Sequence, residues 1–265
     1  MRNLPIGIID SGVGGLTAVV QMNRLLENES ILYFGDSLRM PYGNRPDEEI
    51  IFLANSMIKF LEDLGVKAIL IACNTISSHI EKLSSKVKLF SIVDAGVSAL
   101  KNAPNKDEVG VIATNATIKS GIYERKIKEE LPQKKVYLNS STSLPKIIDS
   151  HLEDASLLNK NIKLCIDPII EKSNNLQQLI LGCSHFPIIH REISKLYPQL
   201  SLIDPAKMQV EMLKDYLNEN ELTSNQSGYK ISLYTTASTY EFAAAIKRLK
   251  LEIDTLIKTE LLEND

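Results

Sequence analysis

Two stretches, Ile69-Leu70-Ile71-Ala72-Cys73-Asn74-Thr75 and Leu179-Ile180-Leu181-Gly182-Cys183-Ser184-His185, decide the fold. In each, an aliphatic run ends on a small residue, then Cys, then hydroxyl or amide residues that suit a helix start. Apolar runs of this length between helical patterns read as buried strands of a parallel sheet. Each Cys then sits where the carboxyl end of a strand meets the next helix, the place where open α/β sheets bind ligands. Free N–H groups at a helix start favour negative charge and so favour a thiolate. Either Cys alone reads equally well as strand-end filler, because Cys is among the most buried residue types. The pairing of two such junctions favours the activated reading.

Outward from these stretches the order is strand then helix throughout. Leu4–Ile9 is a strand that ends in the glycine-rich turn Asp10-Ser11-Gly12-Val13-Gly14-Gly15, followed by a helix over Leu16–Leu26. Such a turn lets backbone N–H groups approach an anion. It is neither G-x-G-x-x-G nor a P-loop, so nucleotide binding has weak support. Asp10 opposes an anion there; it suits a ligand that also carries an ammonium group, a proton-transfer role, or a helix N-cap. Ile31–Phe34 is the second strand, and the long turn-rich loop 35–45 after it is expected to lie over something. Pro46 opens a helix whose apolar face is Ile50, Leu53, Ala54, Met57, Leu61 and Leu64, with Gly65 ending it. Further strands are expected at Leu89–Val93, Glu108–Ala113, Lys135–Leu138, Leu200–Ile203 and Ile231–Thr235, and helices at Asp94–Ala103, from Thr117 to about Leu131, and over Ser143–Ser150. Leu158, Ile162, Cys165, Ile166 and Ile169 share one helical face, which makes Cys165 a core residue. This order predicts an α/β fold: mostly parallel sheets with helices on both faces, in two similar units with the site between them.

The totals narrow the function. The 265 residues carry 30 Lys and Arg against 33 Asp and Glu, a net charge of −3 with no basic run, so nucleic acid is not an expected partner. No apolar stretch reaches membrane-spanning length. The first residues read directly into a strand without a basic segment and cleavage pattern, and three Cys without a CxxC pair indicate neither a disulfide framework nor a zinc ribbon. A cytoplasmic location is expected.

Three chemistries compete for the two thiols. Cys73, Cys183 and His185 could ligate a metal, but the spacing is loose and a fourth ligand is not evident. A Cys–His nucleophilic dyad explains one Cys and leaves the other idle. Inverting a carbon that bears an amine and a carboxylate uses both: one base takes the proton from one face and a second acid returns one to the other. Cys can serve as thiolate and thiol in turn, with no pyridoxal phosphate or metal.

At this point the chain resembles the cofactor-independent glutamate racemases of the aspartate/glutamate racemase superfamily. The resemblance rests on Ile6–Leu16, Gly35-Asp36-Ser37 with Pro41-Tyr42-Gly43, Cys73-Asn74-Thr75, Ala113-Thr114 with Thr117, Leu181–Pro187 and Ile203-Asp204-Pro205-Ala206, in the family's order. It implies two pseudosymmetric α/β domains, 1–95 with 208–265 and 96–207, a homodimer, and L- and D-glutamate interconverted for peptidoglycan. By the same resemblance Cys73 deprotonates D-glutamate and Cys183 L-glutamate, assisted by Asp10 and His185 respectively. Asp10, Ser11, Tyr42, Gly43, Asn74, Thr75, Thr117, Ser184 and His185 are the implied substrate contacts. The family has Thr at Ser184, Ala at Ile76, and a Glu that supports the catalytic His where an ungapped match here gives Asp149, one methylene shorter. Aspartate or hydantoin racemisation would use the same thiols, and a silent module binding an acidic amino acid would need neither.

Overall fold

The computed structural model describes residues 1–104, 106–173 and 175–261. The chain begins with β1 (Ile6–Asp10), α1 (Leu16–Leu25), β2 (Ile31–Gly35), α2 (Asp47–Asp63), β3 (Ala68–Ile71), α3 (Asn74–Ser77), β4 (Lys88–Ser91) and α4 (Ile92–Asn102). It continues with β5 (Glu108–Ala113), α5 (Asn115–Lys119), α6 (Ile122–Glu130), β6 (Lys135–Ser140), α7 (Leu144–Ser150), α8 (Ala155–Lys172), β7 (Gln178–Gly182), α9 (His190–Leu196) and β8 (Ser201–Ile203). It ends with α10 (Pro205–Glu219), β9 (Ile231–Thr235), α11 (Thr239–Leu249) and β10 (Thr255–Lys258).

These strands make two sheets, ordered β10-β9-β2-β1-β3-β4 and β6-β5-β7-β8, with every pairing parallel. Successive residues of a strand face opposite sides of its sheet. Ile8 and Leu70 accordingly pack with α1 and α10, while Ile9 and Ile71 pack with α2. In the second sheet Leu179 and Leu181 meet α8, and Ile180 meets α4 and α6. Both faces of each sheet are covered, which is why the strands read as unbroken aliphatic runs.

The two sheets repeat one plan. β1 lies between β2 and β3, and β5 lies between β6 and β7. The winding direction reverses at β1/β3 in one sheet and at β5/β7 in the other, which opens a crevice at the carboxyl ends of those strands. Cys73 follows β3 and Cys183 follows β7, so the two thiols stand at equivalent crevices. α10 joins the sheets: Val210, Leu213 and Leu217 belong to the first core and Ala206 to the second.

Several details differ from the sequence reading. The helix expected to run to Leu131 is broken at Gly121, which takes φ +65° and starts α6 afresh. Leu64 is exposed and Ile58 takes its place on the buried face of α2, because the helix stops at Asp63 and the chain turns at Gly65 with φ +81°. The helical face of Cys165 is buried as expected. β10 has no counterpart in the reading, since Thr255-Leu256-Ile257-Lys258 is a short edge strand whose residues are largely exposed. The strand-to-helix junction expected at each thiol is present at Cys73 and altered at Cys183. Cys73 caps a helix of only four residues, and Cys183 leads through Ser184 and His185 into a 3-10 turn, Phe186–Ile189.

Candidate active site

Cys73 and Cys183 open onto one cavity of about 820 Å³ between the two sheets. The first sheet's side contributes Ser11, Tyr42, Gly43, Asn74 and Thr75; the second contributes Thr114, Asp149, Ser184 and His185. Both cysteines line the cavity and are only 5% exposed.

On the Cys73 side, the Ser11 hydroxyl stands 3.5 Å from Cys73 Sγ. Burial, and then the neighbouring Asp10 charge, push the Cys73 thiol up to about 12; the Ser11 hydroxyl and the Ile76 N–H pull the other way without winning. The expected activation by a helix start is therefore overridden by desolvation, because one turn of helix offers little field against a buried charge. Asp10 is fully buried behind this wall. Its Oδ1 accepts from the Gly12 N–H at 2.9 Å, and its Oδ2 has no hydrogen-bond partner among the described residues. Burial raises its pKa, opposed by the His185 charge and by nearby donors. Asp10 does not cap α1, whose N-cap is Gly15. The glycine-rich turn likewise admits side chains rather than an anion: the Gly12 N–H is spent on Asp10, and His185 closes on Gly14.

On the Cys183 side, His185 Nδ1 stands 3.7 Å from Cys183 Sγ, and His185 Nε2 stands 3.1 Å from Asp149 Oδ2. The latter is an ion-pair distance without an aligned hydrogen bond. Burial works against a charged imidazole, but the Asp149 carboxylate and then Cys183 override it and hold His185 well above its ordinary value. The shorter Asp149 side chain thus reaches the imidazole.

The wall's remaining polar groups are hydrogen-bonded to one another, beside apolar Val13, Met40, Pro145 and Ala244. The hydroxyls of Thr75, Thr114 and Thr117 form a triangle with O–O distances of 2.8, 3.0 and 3.4 Å. Thr75 and Thr114 line the cavity, whereas Thr117 lies behind them and Asp10 behind Ser11; these two expected substrate contacts are off the wall. Tyr123 donates to Asn74 Oδ1 at 2.7 Å, which leaves the amide N–H groups to face the cavity. The Tyr42 hydroxyl is also committed: it donates to buried Asp36 at 2.6 Å, as does the Thr236 hydroxyl at 2.6 Å. Asp36 therefore fixes the loop that carries Tyr42 and Gly43. Thr114, which the sequence marks only as part of a motif and not as a substrate contact, lines the cavity as well. Arg248 of α11 lines it too, and nothing in the sequence of its helix marks it as part of a site. Among the described residues no group of three or more His, Cys, Asp or Glu is placed to hold a metal ion, and no helix is long and apolar enough to cross a membrane.

The arrangement is a cavity between the two sheets with a thiol from each sheet, one beside a carboxyl group and the other beside an imidazole–carboxylate pair. Residues 6–213 match the family described as Asp/Glu/Hydantoin racemase. Glutamate racemase 1 of Caldanaerobacter subterraneus subsp. tengcongensis is 37% identical over 91% of this chain and 90% of that one. A crystal structure of a glutamate racemase isoform from Bacillus anthracis superposes with a TM-score of 0.92 at 30% identity, covering 98% of this chain and 99% of that one. The glutamate racemase of Francisella tularensis subsp. tularensis, solved in complex with D-glutamate, superposes at 0.90 with 35% identity, covering 98% and 99%.

Proposed function

The chain belongs to the Asp/Glu/Hydantoin racemase family, and from that premise we propose that it interconverts L- and D-glutamate by a two-thiol proton transfer at Cα, supplying D-glutamate for peptidoglycan in the cytoplasm. The observation that carries this reading is the pair of thiols at equivalent crevices of two sheets, opening onto one cavity.

In the direction from L-glutamate, Cys183 takes the Cα proton and Cys73 returns one to the opposite face. The placement of the two thiols suits this step. Burial makes Cys73 hold its proton strongly, as a donor should, and His185 Nδ1 stands 3.7 Å from Cys183 Sγ, within reach of the sulfur that takes the proton. From D-glutamate the roles exchange. The substrate's ammonium group, brought beside Cys73 and Asp10, supplies the positive charge that makes the Cys73 thiolate accessible. Asp10, lacking a donor on Oδ2, is placed to share a proton on that side. Ser11, Asn74, Thr75, Thr114 and Ser184, with the backbone at Tyr42 and Gly43, are the groups proposed to hold the two carboxylates. Thr117 acts through Thr75 and Thr114. The same proposal treats 1–95 with 208–265 and 96–207 as the two working units, and includes a homodimer, for which sedimentation is the check.

The assay is racemisation of L-glutamate, L-aspartate and a hydantoin by purified protein with a chelator present. Glutamate is expected to be the preferred substrate. In deuterated water the product should carry solvent deuterium from the earliest turnover while unreacted substrate keeps its proton, since each face has its own base. Equal early label in both enantiomers, or activity recovered only on adding zinc, would overturn the two-thiol proposal.

Asp149 provides a finer check. Asp149→Asn removes the charge that holds His185 up, with little change in size. Losing the carboxylate that favours the charged imidazole is expected to lower kcat from L-glutamate, and to lower it more than kcat from D-glutamate. The two kcat/KM values must fall together, because enantiomers are equal in free energy. Unchanged kcat in both directions would leave Asp149 a bystander.

A further inference from the structure

We infer that Arg248 is a positioning residue for the Cys183 half of the site, acting on His185 through α7 and Asp149. The inference deepens the proposed function and rests on that reading for its kinetic arm only.

Asp149 lies near the end of α7 and faces His185 at ion-pair distance, yet neither of its carboxylate oxygens has a hydrogen-bond partner among the described residues. A carboxylate held by no hydrogen bond stays where its backbone puts it. The position of α7 therefore decides whether the charge sits 3.1 Å from the imidazole or farther away.

α7 is only seven residues long. Its last carbonyls cannot all be satisfied within the helix. Ile147 O takes the His151 N–H, while Ile148 O, one residue before Asp149, accepts from Arg248 Nη1 at 3.0 Å. A cation at the carboxyl end of a helix is favourable as well as geometrically suited.

Arg248 comes from the other side of the cavity. It stands near the end of α11, which packs on α1 and buries Phe242 and Ala245 in the core of the first sheet. Leu144, Ile147 and Ile148 of α7 belong to the core of the second sheet. Arg248 thus ties a helix of one unit to the helix that carries Asp149 in the other, and it does so at the cavity wall, which both residues line. This couples the closeness of the two units to the charge state of His185. Drawing α11 away releases the end of α7 and lets the Asp149 carboxylate drift. The titratable groups facing His185 are Asp149 from α7, Cys183 from the turn after β7 and Asp10 from β1. Arg248 touches none of them; it moves one of them.

The test compares the unaltered full-length protein with Arg248→Ala and Arg248→Lys. Its first arm needs no turnover: the ring nitrogens of His185 are followed by NMR through a pH titration, assigned with His185→Asn. In Arg248→Ala the midpoint of the His185 ring is expected to fall, because the carboxylate that favours the charged form is less well placed. Arg248→Lys, which keeps one donor for Ile148 O, is expected to restore most of the shift. The second arm is kinetic. In Arg248→Ala, kcat from L-glutamate should fall several-fold, and the isotope effect with L-glutamate deuterated at Cα should rise, as proton abstraction by Cys183 becomes more limiting. An unmoved His185 ring in Arg248→Ala would overturn the inference, as would equal losses of kcat in both directions with unchanged isotope effects, the mark of a merely structural contact. An unaltered protein that fails to racemise glutamate would count against the proposed function, while the ring titration would still decide the role of Arg248.

Discussion

Replacing either Cys73 or Cys183 by Ser is expected to lower glutamate racemisation in both directions by about 10²-fold to 10⁴-fold, the range of a lost general acid–base group. A hydroxyl is a far weaker acid than a thiol, so its anion is scarce near neutral pH. Under the proposed two-thiol mechanism the loss is two-sided, because each direction then needs one sulfur as base and the other as acid. Both side chains are nearly the size of their replacements and are 5% exposed, so melting temperature should change little while turnover collapses. Cys165 is the internal control. It is buried in the core of the second sheet, where burial pushes its thiol up to about 12. Cys165→Ala should lower stability by the cost of a small cavity, leaving kcat and KM unchanged. Racemisation assayed by circular dichroism, alongside thermal melts, separates the three variants. Full activity in Cys73→Ser would end the two-thiol mechanism.

The second large effect is expected from a residue that carries no side chain. A β-carbon on Gly14 would lie 2.5 Å from His185 Nδ1 and 2.5 Å from Ser184 Oγ. Neither can retreat without cost, because His185 is buried between Cys183 and Asp149. Gly14→Ala must therefore push the turn after β1 away from the turn after β7, or turn the imidazole off Cys183. Overpacking of this kind costs about 1–3 kcal/mol in stability, and a displacement of about 1 Å in a catalytic group can cost on the order of 100-fold in rate. A fall of that order in kcat, with a Tm lowered by only a few degrees, is the expected result. Gly14→Ala with unimpaired kcat would show that the two turns need not approach this closely during turnover.

Much of this was legible because the signal is local. The aliphatic runs around Leu70 and Ile180 carry their own length and their own ends, so both strands and both thiols follow from composition over seven residues. The pairing of the thiols follows from the similarity of the two runs. What was not legible depends on distance or on competition. Whether a buried thiol is activated depends on burial against the field of a helix start, and no sequence pattern weighs desolvation against one turn of dipole. The placement of Thr117 and Asp10 behind the wall depends on which of several adjacent polar residues reaches the cavity. β10 escaped because an exposed edge strand has no buried face to impose alternation. Arg248 escaped because its partner is a backbone carbonyl, 100 residues away along the chain, and carbonyls leave no mark in a sequence.

The strand order has a consequence for synthesis. Residues 108–203 supply every strand of the second sheet without interruption, so that sheet can close as soon as they leave the ribosome. The first sheet cannot. β2 pairs with β9, and β9 with β10, and those strands lie at residues 231–258. Until they emerge, Ile31–Gly35 presents an open apolar edge of the kind that recruits foreign strands. The half that begins first is thus completed last, and the nascent chain must shelter β2 throughout the interval in which its other half is made.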